Sequence, residues 1–304
     1  MIVPLFLRLS LSLWCGLCVA VNLIAADRIW LQPQRPTSTE SDWYPRAIEV
    51  REGQVKVFDA KQLKILCTGD EAETVIASAR VIWIEPDPVS DLEREAAELF
   101  EQGEHAASLL KLPEILKQRP PVWRQQKITM FAAVNAWLSG RASIALELVG
   151  QLDRRPLPLA VIAWLPVAWE NGAQSAETCG AAKQRLEDPS AAVRLVAASW
   201  LLSSPDRNQA IDVLKALQQD TRVEISRLAE VLLWRTTPPP QVGDAAVQWQ
   251  QRLDALPMVL QPGPTKTIID KLNSAGLSER AEPLQWSLEL VPIRPSYEMP
   301  HTTR

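Results

Sequence analysis

The run D-P-S-A-A-V-R-L-V-A-A-S-W-L-L, from Asp188 to Leu202, lies in register over D-T-R-V-E-I-S-R-L-A-E-V-L-L-W, from Asp220 to Trp234. Val193 falls on Ile225, Val196 on Leu228, Ala197 on Ala229, Trp200 on Leu232 and Leu201 on Leu233, at a constant offset of 32 residues. Within each copy the apolar positions follow a helical period, so they share one face. A unit of that length is a helix pair that cannot bury its own apolar stripe, and copies must stack to do so. The stretch therefore specifies an architecture and no reaction.

Helical periodicity extends outward from it, from Ser90 to about Leu290. Ser90-Asp91-Leu92-Glu93 is a capping box, in which the serine hydroxyl and the glutamate three residues on satisfy each other's backbone amides. Beyond it, Ala96 and Ser108 stand as small residues, Leu99 and Leu112 as large ones, Gly103 as a turn and Pro120 as a stop. A second set follows with Ala133, Gly140, Ala145, Val149 and Leu152, and the two glycines lie 37 residues apart. Phe100 and Trp137 each stand three residues before their glycine. This pattern resembles the tetratricopeptide repeat, and the D-P-x-x-x-V-R run at Asp188 resembles a HEAT repeat in architecture. The resemblance implies an α-solenoid whose curved face binds a protein or peptide.

Several local expectations follow for the helical part. Pro113 should kink its helix. Leu157 to Trp169 is apolar almost throughout and predicts a helix buried on all sides, broken at Pro166 and ended by Asn171-Gly172. Asp188 with Pro189, and Ser204 with Pro205, predict capped helix starts. Thr236-Thr-Pro-Pro-Pro-Gln predicts a stiff extended linker. A helix is expected from Asp244 to Leu256, a turn at Gln261-Pro-Gly-Pro, and a last helical hairpin around Gly276.

Residues 27–88 read as β. A first strand is expected near Ile29, followed by an irregular loop from Gln32 to Pro45. Ala47-Ile-Glu-Val alternates, Glu52-Gly53 offers a turn, and Val55 and Val57 resume the alternation. Leu63 and Ile65, Thr74-Val-Ile, and Arg80-Val-Ile-Trp-Ile-Glu complete the set; the last is apolar on both faces, as in a closed or covered sheet. In strand count and meander the module resembles SH3-like and Sm-like barrels. The predicted fold is thus α+β: a small β-barrel-like module over 27–88, which caps an α-helical-repeat domain over 89–291, and a disordered tail over 292–304.

Residues 1–26 have the form of an export signal. Arg8 is their one basic side chain, Leu9 to Ala26 carries no charge, and the run ends on Ala25-Ala26. Cleavage before Asp27 is expected; the alternative is an uncleaved membrane anchor. Removing the segment takes the net charge from −4 to −5. A mildly acidic chain lacks the basic face that nucleic acid requires. Apolar content of 47% and charged content of 22% exclude disorder over the whole length. Cys67 and Cys179 remain in the mature chain, and both read as buried small hydrophobes. The 32-residue register sets Cys179 opposite the core position Ile211.

Catalytic chemistry is sparse. The two histidines are isolated, His105 in a turn and His301 in the tail, and no metal-ligand spacing, phosphate loop or nucleophile motif is present. The acids Glu93, Glu95, Glu98, Asp188, Asp220 and Glu230 fall on caps and polar faces. No catalytic, cofactor or metal residue is assigned. Trp137, Trp164, Trp169, Trp200, Trp234, Trp249 and Trp286 read mainly as packing between helices. Trp123 and Arg124, at a helix start, are the candidate exposed binding surface. The functional expectation is a non-enzymatic periplasmic or secreted interaction module for a protein or peptide. The alternatives are a structural envelope component anchored by 1–26 and, last, a hydrolase using two carboxylates.

Overall fold

The computed structural model describes residues 26–34 and 47–290. Residues 1–25, 35–46 and 291–304 lie outside the described residues, and with them most of the expected export signal, most of the expected irregular loop and all of the expected disordered tail. The fold is α+β: a five-stranded antiparallel sheet and twelve helices among the described residues.

The strands are β1 (Asp27–Leu31), β2 (Glu49–Phe58), β3 (Gln62–Cys67), β4 (Thr74–Ala77) and β5 (Val81–Glu85), ordered β4-β3-β2-β1-β5. Alternation puts Ile29, Leu31, Val55, Phe58, Leu63 and Ile65 on one buried face. Asp59 turns β2 into β3 by accepting the amides of Lys61 and Gln62 at 2.8 and 2.9 Å. The expected turn at Glu52-Gly53 does not form, and β2 runs straight through it. Gly53 is required for a different reason: a Cβ there would stand 2.3 Å from the Leu66 carbonyl oxygen of β3. The sheet is open, which corrects the expected barrel. Strands β4 and β5 are its two edges and do not pair with each other. Helical segments cover the β5 edge instead, which is why β5 buries Val81, Ile82 and Ile84 despite having one strand neighbour.

The helices are α1 (Asp91–Glu101), α2 (His105–Lys117), α3 (Val122–Leu138), α4 (Ala142–Leu152), α5 (Leu159–Ile162), α6 (Ala176–Lys183), α7 (Ala191–Leu201), α8 (Arg207–Leu217), α9 (Val223–Trp234), α10 (Pro239–Asp254), α11 (Pro262–Ser274) and α12 (Ser278–Leu290). Most helices pack on the next in the chain, and α7, α9 and α11 also form a layer of their own. The Ser90 capping box forms as its sequence predicts. Gly103, Gly140 and Gly276 follow α1, α3 and α11 with φ of 79°, 78° and 74°, the left-handed conformation that glycine adopts without penalty. Ala96 and Ser108 are fully buried, and the Ser108 hydroxyl donates to the Ala96 carbonyl at 2.8 Å across the α1–α2 contact.

Helix starts in the second half differ from expectation by two residues at α7 and α8 and by five at α10. Ser190, and not Asp188, caps α7 by accepting the Val193 amide at 3.1 Å; Asp188 supports it by accepting the Ser190 amide. Helix α8 starts at Arg207, because Ser204 takes the Asp206 amide and turns the chain before the helix begins. The proline run is no linker: Pro239 and Pro240 occupy the first turn of α10, where an absent amide leaves nothing unpaired. Pro262 likewise opens α11, where a turn was expected. Helix α2 continues through Pro113. Asp153, just past α4, accepts from the Ser190 hydroxyl at 2.6 Å and the Arg222 guanidinium at 2.6 Å, so one carboxylate ties α4 to the starts of α7 and α9. Ser190 and Arg222 are themselves 32 residues apart.

Residues 157–168 are buried almost throughout, yet only one turn of helix, α5, forms there. Pro158 and Pro166 forbid a continuous helix; residues 163–165 turn, and the chain from Pro166 to Trp169 crosses the α7–α9–α11 layer as a non-helical strap. Buried backbone outside regular structure needs foreign partners. The layer supplies them from its side chains. Trp200 Nε1 donates to the Pro166 carbonyl at 2.7 Å, Ser199 Oγ accepts the Ala168 amide at 3.1 Å, and Thr267 donates to the Trp169 carbonyl at 2.7 Å. Gly263 is what admits Trp169, since a Cβ on it would stand 2.2 Å from the indole.

The sheet does not sit beyond α1 as a terminal cap. Its apolar face takes Trp123 of α3 and Ala160 of α5, and β5 also meets the 3-10 turn Met258–Leu260. Gln32 accepts the Met258 amide at 3.1 Å, joining residues 226 apart in the chain.

Candidate binding cleft

The end of the strap and the ends of the helices beneath it enclose a cleft of about 410 Å³. Its wall holds Asn171 after the strap, Ser203 after α7, Arg207 at the start of α8, Arg235 with Thr236 and Thr237 after α9, and Lys271 on α11. Three of these residues are cationic, and no Asp or Glu belongs to the wall.

Arg235 is the structural centre. It is 3% exposed, and its guanidinium donates to the Ala168 and Ser199 carbonyls at 2.7 and 2.8 Å, to Ser203 Oγ at 3.0 Å and to Asn171 Oδ1 at 3.3 Å. No carboxylate pairs with it among the described residues. Burial lowers its pKa to about 10, so it stays charged at neutral pH. Ser203 and Arg235 are equivalent at the 32-residue offset, so the two copies of the unit meet here side chain to side chain.

Lys271 differs from Arg235 in having nothing to bond. The residue is 6% exposed, and its amine makes no hydrogen bond or close ion pair with any described residue; burial lowers its pKa. The neighbouring acid Asp270 is engaged elsewhere, accepting from Asn171 Nδ2 at 2.8 Å. Arg207 is exposed and spends one bond on the Thr236 carbonyl at 3.3 Å.

A second, far smaller cavity of about 30 Å³ lies where the sheet meets α3 and α5. Trp83 and Trp164 stack in its wall at 5.3 Å, and the Lys127 amine stands 3.7 Å from the centre of the Trp83 ring and donates to the Ile84 carbonyl at 3.2 Å. Burial dominates and draws the Lys127 amine down to about 7; Glu93, Glu85 and Asp27 oppose the shift, and Arg124 adds to it. At that size the cavity admits about one water.

Trp123 and Arg124 are not an exposed surface. Trp123 is 5% exposed because the sheet packs over it. Arg124 is clasped to Glu93, with Nε to Oε1 at 2.9 Å, and donates to the Pro88 carbonyl at 2.9 Å. Reading α3 without the sheet above it left these two side chains falsely free. Trp164, Trp200, Trp234 and Trp249 are buried, and stacked pairs join Trp137 to Trp200 and Trp234 to Trp249, whereas Trp286 is 59% exposed. His105 lies not in a turn but at the start of α2, where it packs 4.9 Å from the Phe100 ring and burial lowers its pKa. Cys67 and Cys179 are free thiols, each partly and not fully buried. Burial pushes the Cys179 thiol up. Among the described residues, no group of three or more His, Cys, Asp or Glu side chains converges as a metal site, and no helix is long and apolar enough to cross a membrane.

Of the cleft residues, none was singled out from sequence. The available signal was Arg235 itself, a charged residue that closes the apolar run V-L-L-W where the other copy has a serine.

No family model, curated protein or solved structure matches this chain.

Proposed function

We propose that this protein is a non-enzymatic binding or scaffolding module of the exported type, built as a tetratricopeptide- and HEAT-like α-solenoid. Its binding site for a protein or peptide partner is the cleft around Arg207, Arg235 and Lys271. The 32-residue equivalences Ser190/Arg222 and Ser203/Arg235 support the repeat reading, since each equivalent pair converges on one site. The observation that carries the site is the strap. It covers the α7–α9–α11 layer, the face a solenoid would otherwise offer, and leaves the cleft at its edge open. A carboxylate-pair hydrolase is disfavoured, because neither cavity has an acid in its wall.

The test is site-specific photocross-linking in intact cells. Pro238→p-benzoylphenylalanine, at the exposed rim of the cleft, should give one adduct of defined mass. Glu98→p-benzoylphenylalanine, on the exposed face of α1, should give none. Self-adducts alone would favour a structural envelope component, and equal labelling at both positions would refute the cleft as the site.

A further inference from the structure

Lys271 and Arg207 raise a question that packing does not answer. A buried cation usually spends its charge on acceptors within the fold. Arg235 does so through four bonds; the Lys271 amine makes none among the described residues. Its stem is buried in α11, while its amine opens on the cleft. Across the cleft Arg207 keeps most of its N–H groups uncommitted, and the Thr237 hydroxyl bonds to no described residue. These donors come from α8, the loop before α10 and α11, three separate elements around one volume. The acids nearby are Asp270, held by Asn171, and Glu170, and neither belongs to the wall. Arg235 adds a fixed positive charge from beneath, with its own hydrogen bonds already filled. The start of α10, the positive end of a 16-residue helix, closes the rim through Pro239.

We propose that this cleft recognises a compact oxyanion, a phosphate or carboxylate group, gripped by the Lys271 amine, the Arg207 guanidinium and the Thr237 hydroxyl. The inference rests on the reading of the cleft as the binding site and names the chemistry of what enters it. Charge-assisted bonds from a partly desolvated amine and a guanidinium are the strong kind, and a volume of about 410 Å³ leaves room for the group that carries the anion.

The experiment titrates the full mature chain with inorganic phosphate and, separately, with sodium acetate, each against sodium chloride at equal ionic strength. Melting temperature and isothermal titration heat are the readouts. One of the two anions should give a saturable response that chloride does not, and which one responds identifies the group. Lys271→Met and Arg207→Gln should each weaken that binding about tenfold or more. Both are chosen to fold, since Met keeps the packed stem of Lys271 and Arg207 is exposed. A response no larger than that of chloride, or one unchanged in both variants, would overturn the proposal. Pro238 adducts that persist when neither anion binds would leave the binding-site reading standing and sink this one alone.

Discussion

Two buried cations in this protein have opposite surroundings. Arg235 lies under the strap with four acceptors arranged around its planar fork, and its pKa falls only to about 10. Lys127 lies where the sheet meets the helices, among tryptophans, with one carbonyl and one ring face, and its pKa falls to about 7. Depth alone does not separate them, since Lys127 keeps partial exposure and Arg235 keeps almost none. What separates them is the supply of acceptors. A non-helical strap has free carbonyls to offer, and a guanidinium can satisfy several at once. At the β5 edge the Lys127 amine reaches one free carbonyl, that of Ile84, and otherwise meets aromatic and aliphatic side chains.

The comparison breaks most visibly at Arg235. Arg235→Met would leave the Ala168 and Ser199 carbonyls buried without donors, and the stability loss should reach about 3–5 kcal/mol in urea unfolding. A loss below about 1 kcal/mol would mean the strap holds without it. Next in size is Gly263→Ala, which tests the strap without touching a charge. The added methyl would press into the Trp169 ring, and the expected loss is about 1–3 kcal/mol, seen as a lower urea midpoint with the slope unchanged.

The smallest effect, and the sharpest contrast, is at Lys127. Its pKa is lower in the folded chain than in the unfolded one, so between pH 7 and about 10 the unfolded chain binds the extra proton. Stability should therefore rise with pH through that window; below pH 7, where both states are protonated, the slope vanishes and the full cost of burying the charge remains. Lys127→Met should raise stability by about 1–2 kcal/mol at pH 6 and flatten the rise toward pH 9.5. Equal pH profiles for the two proteins would show that the amine is not depressed. One cation is thus expected to be indispensable and the other dispensable.

Much of the fold was legible. Strands β1, β3, β4 and β5, the Ser90 cap, and the turns at Gly103, Gly140 and Gly276 were readable because each depends on residues a few positions apart, whereas β2 read as two runs parted at Glu52-Gly53. The repeated stretch located α7 and α9 because helical burial repeats with a local period. The strap was misread for the same reason. Leu157 to Trp169 has helix-like apolar density, and only foreign partners, the acceptor Ser199 and the donors Trp200, Arg235 and Thr267, make a non-helical path tolerable there. Gly53 and Gly263 looked like turn residues because a sequence does not show which backbone or ring will pass within 3 Å of them. Trp123 and Arg124 looked exposed because the sheet that covers them lies dozens of residues earlier.

By itself, the sequence determined the class of the protein: an antiparallel β segment followed by successive helices, each with one apolar face and a defined start or stop. Tertiary structure alone decided that the sheet stays open against α3 and α5, that a proline-broken strap fills the inner layer, and that Arg207, Arg235 and Lys271 share one cleft. The division has a physical cause. Periodicity and capping act over a few residues and are written in the chain, whereas satisfying a buried carbonyl or gathering three cations depends on partners that only folding brings near.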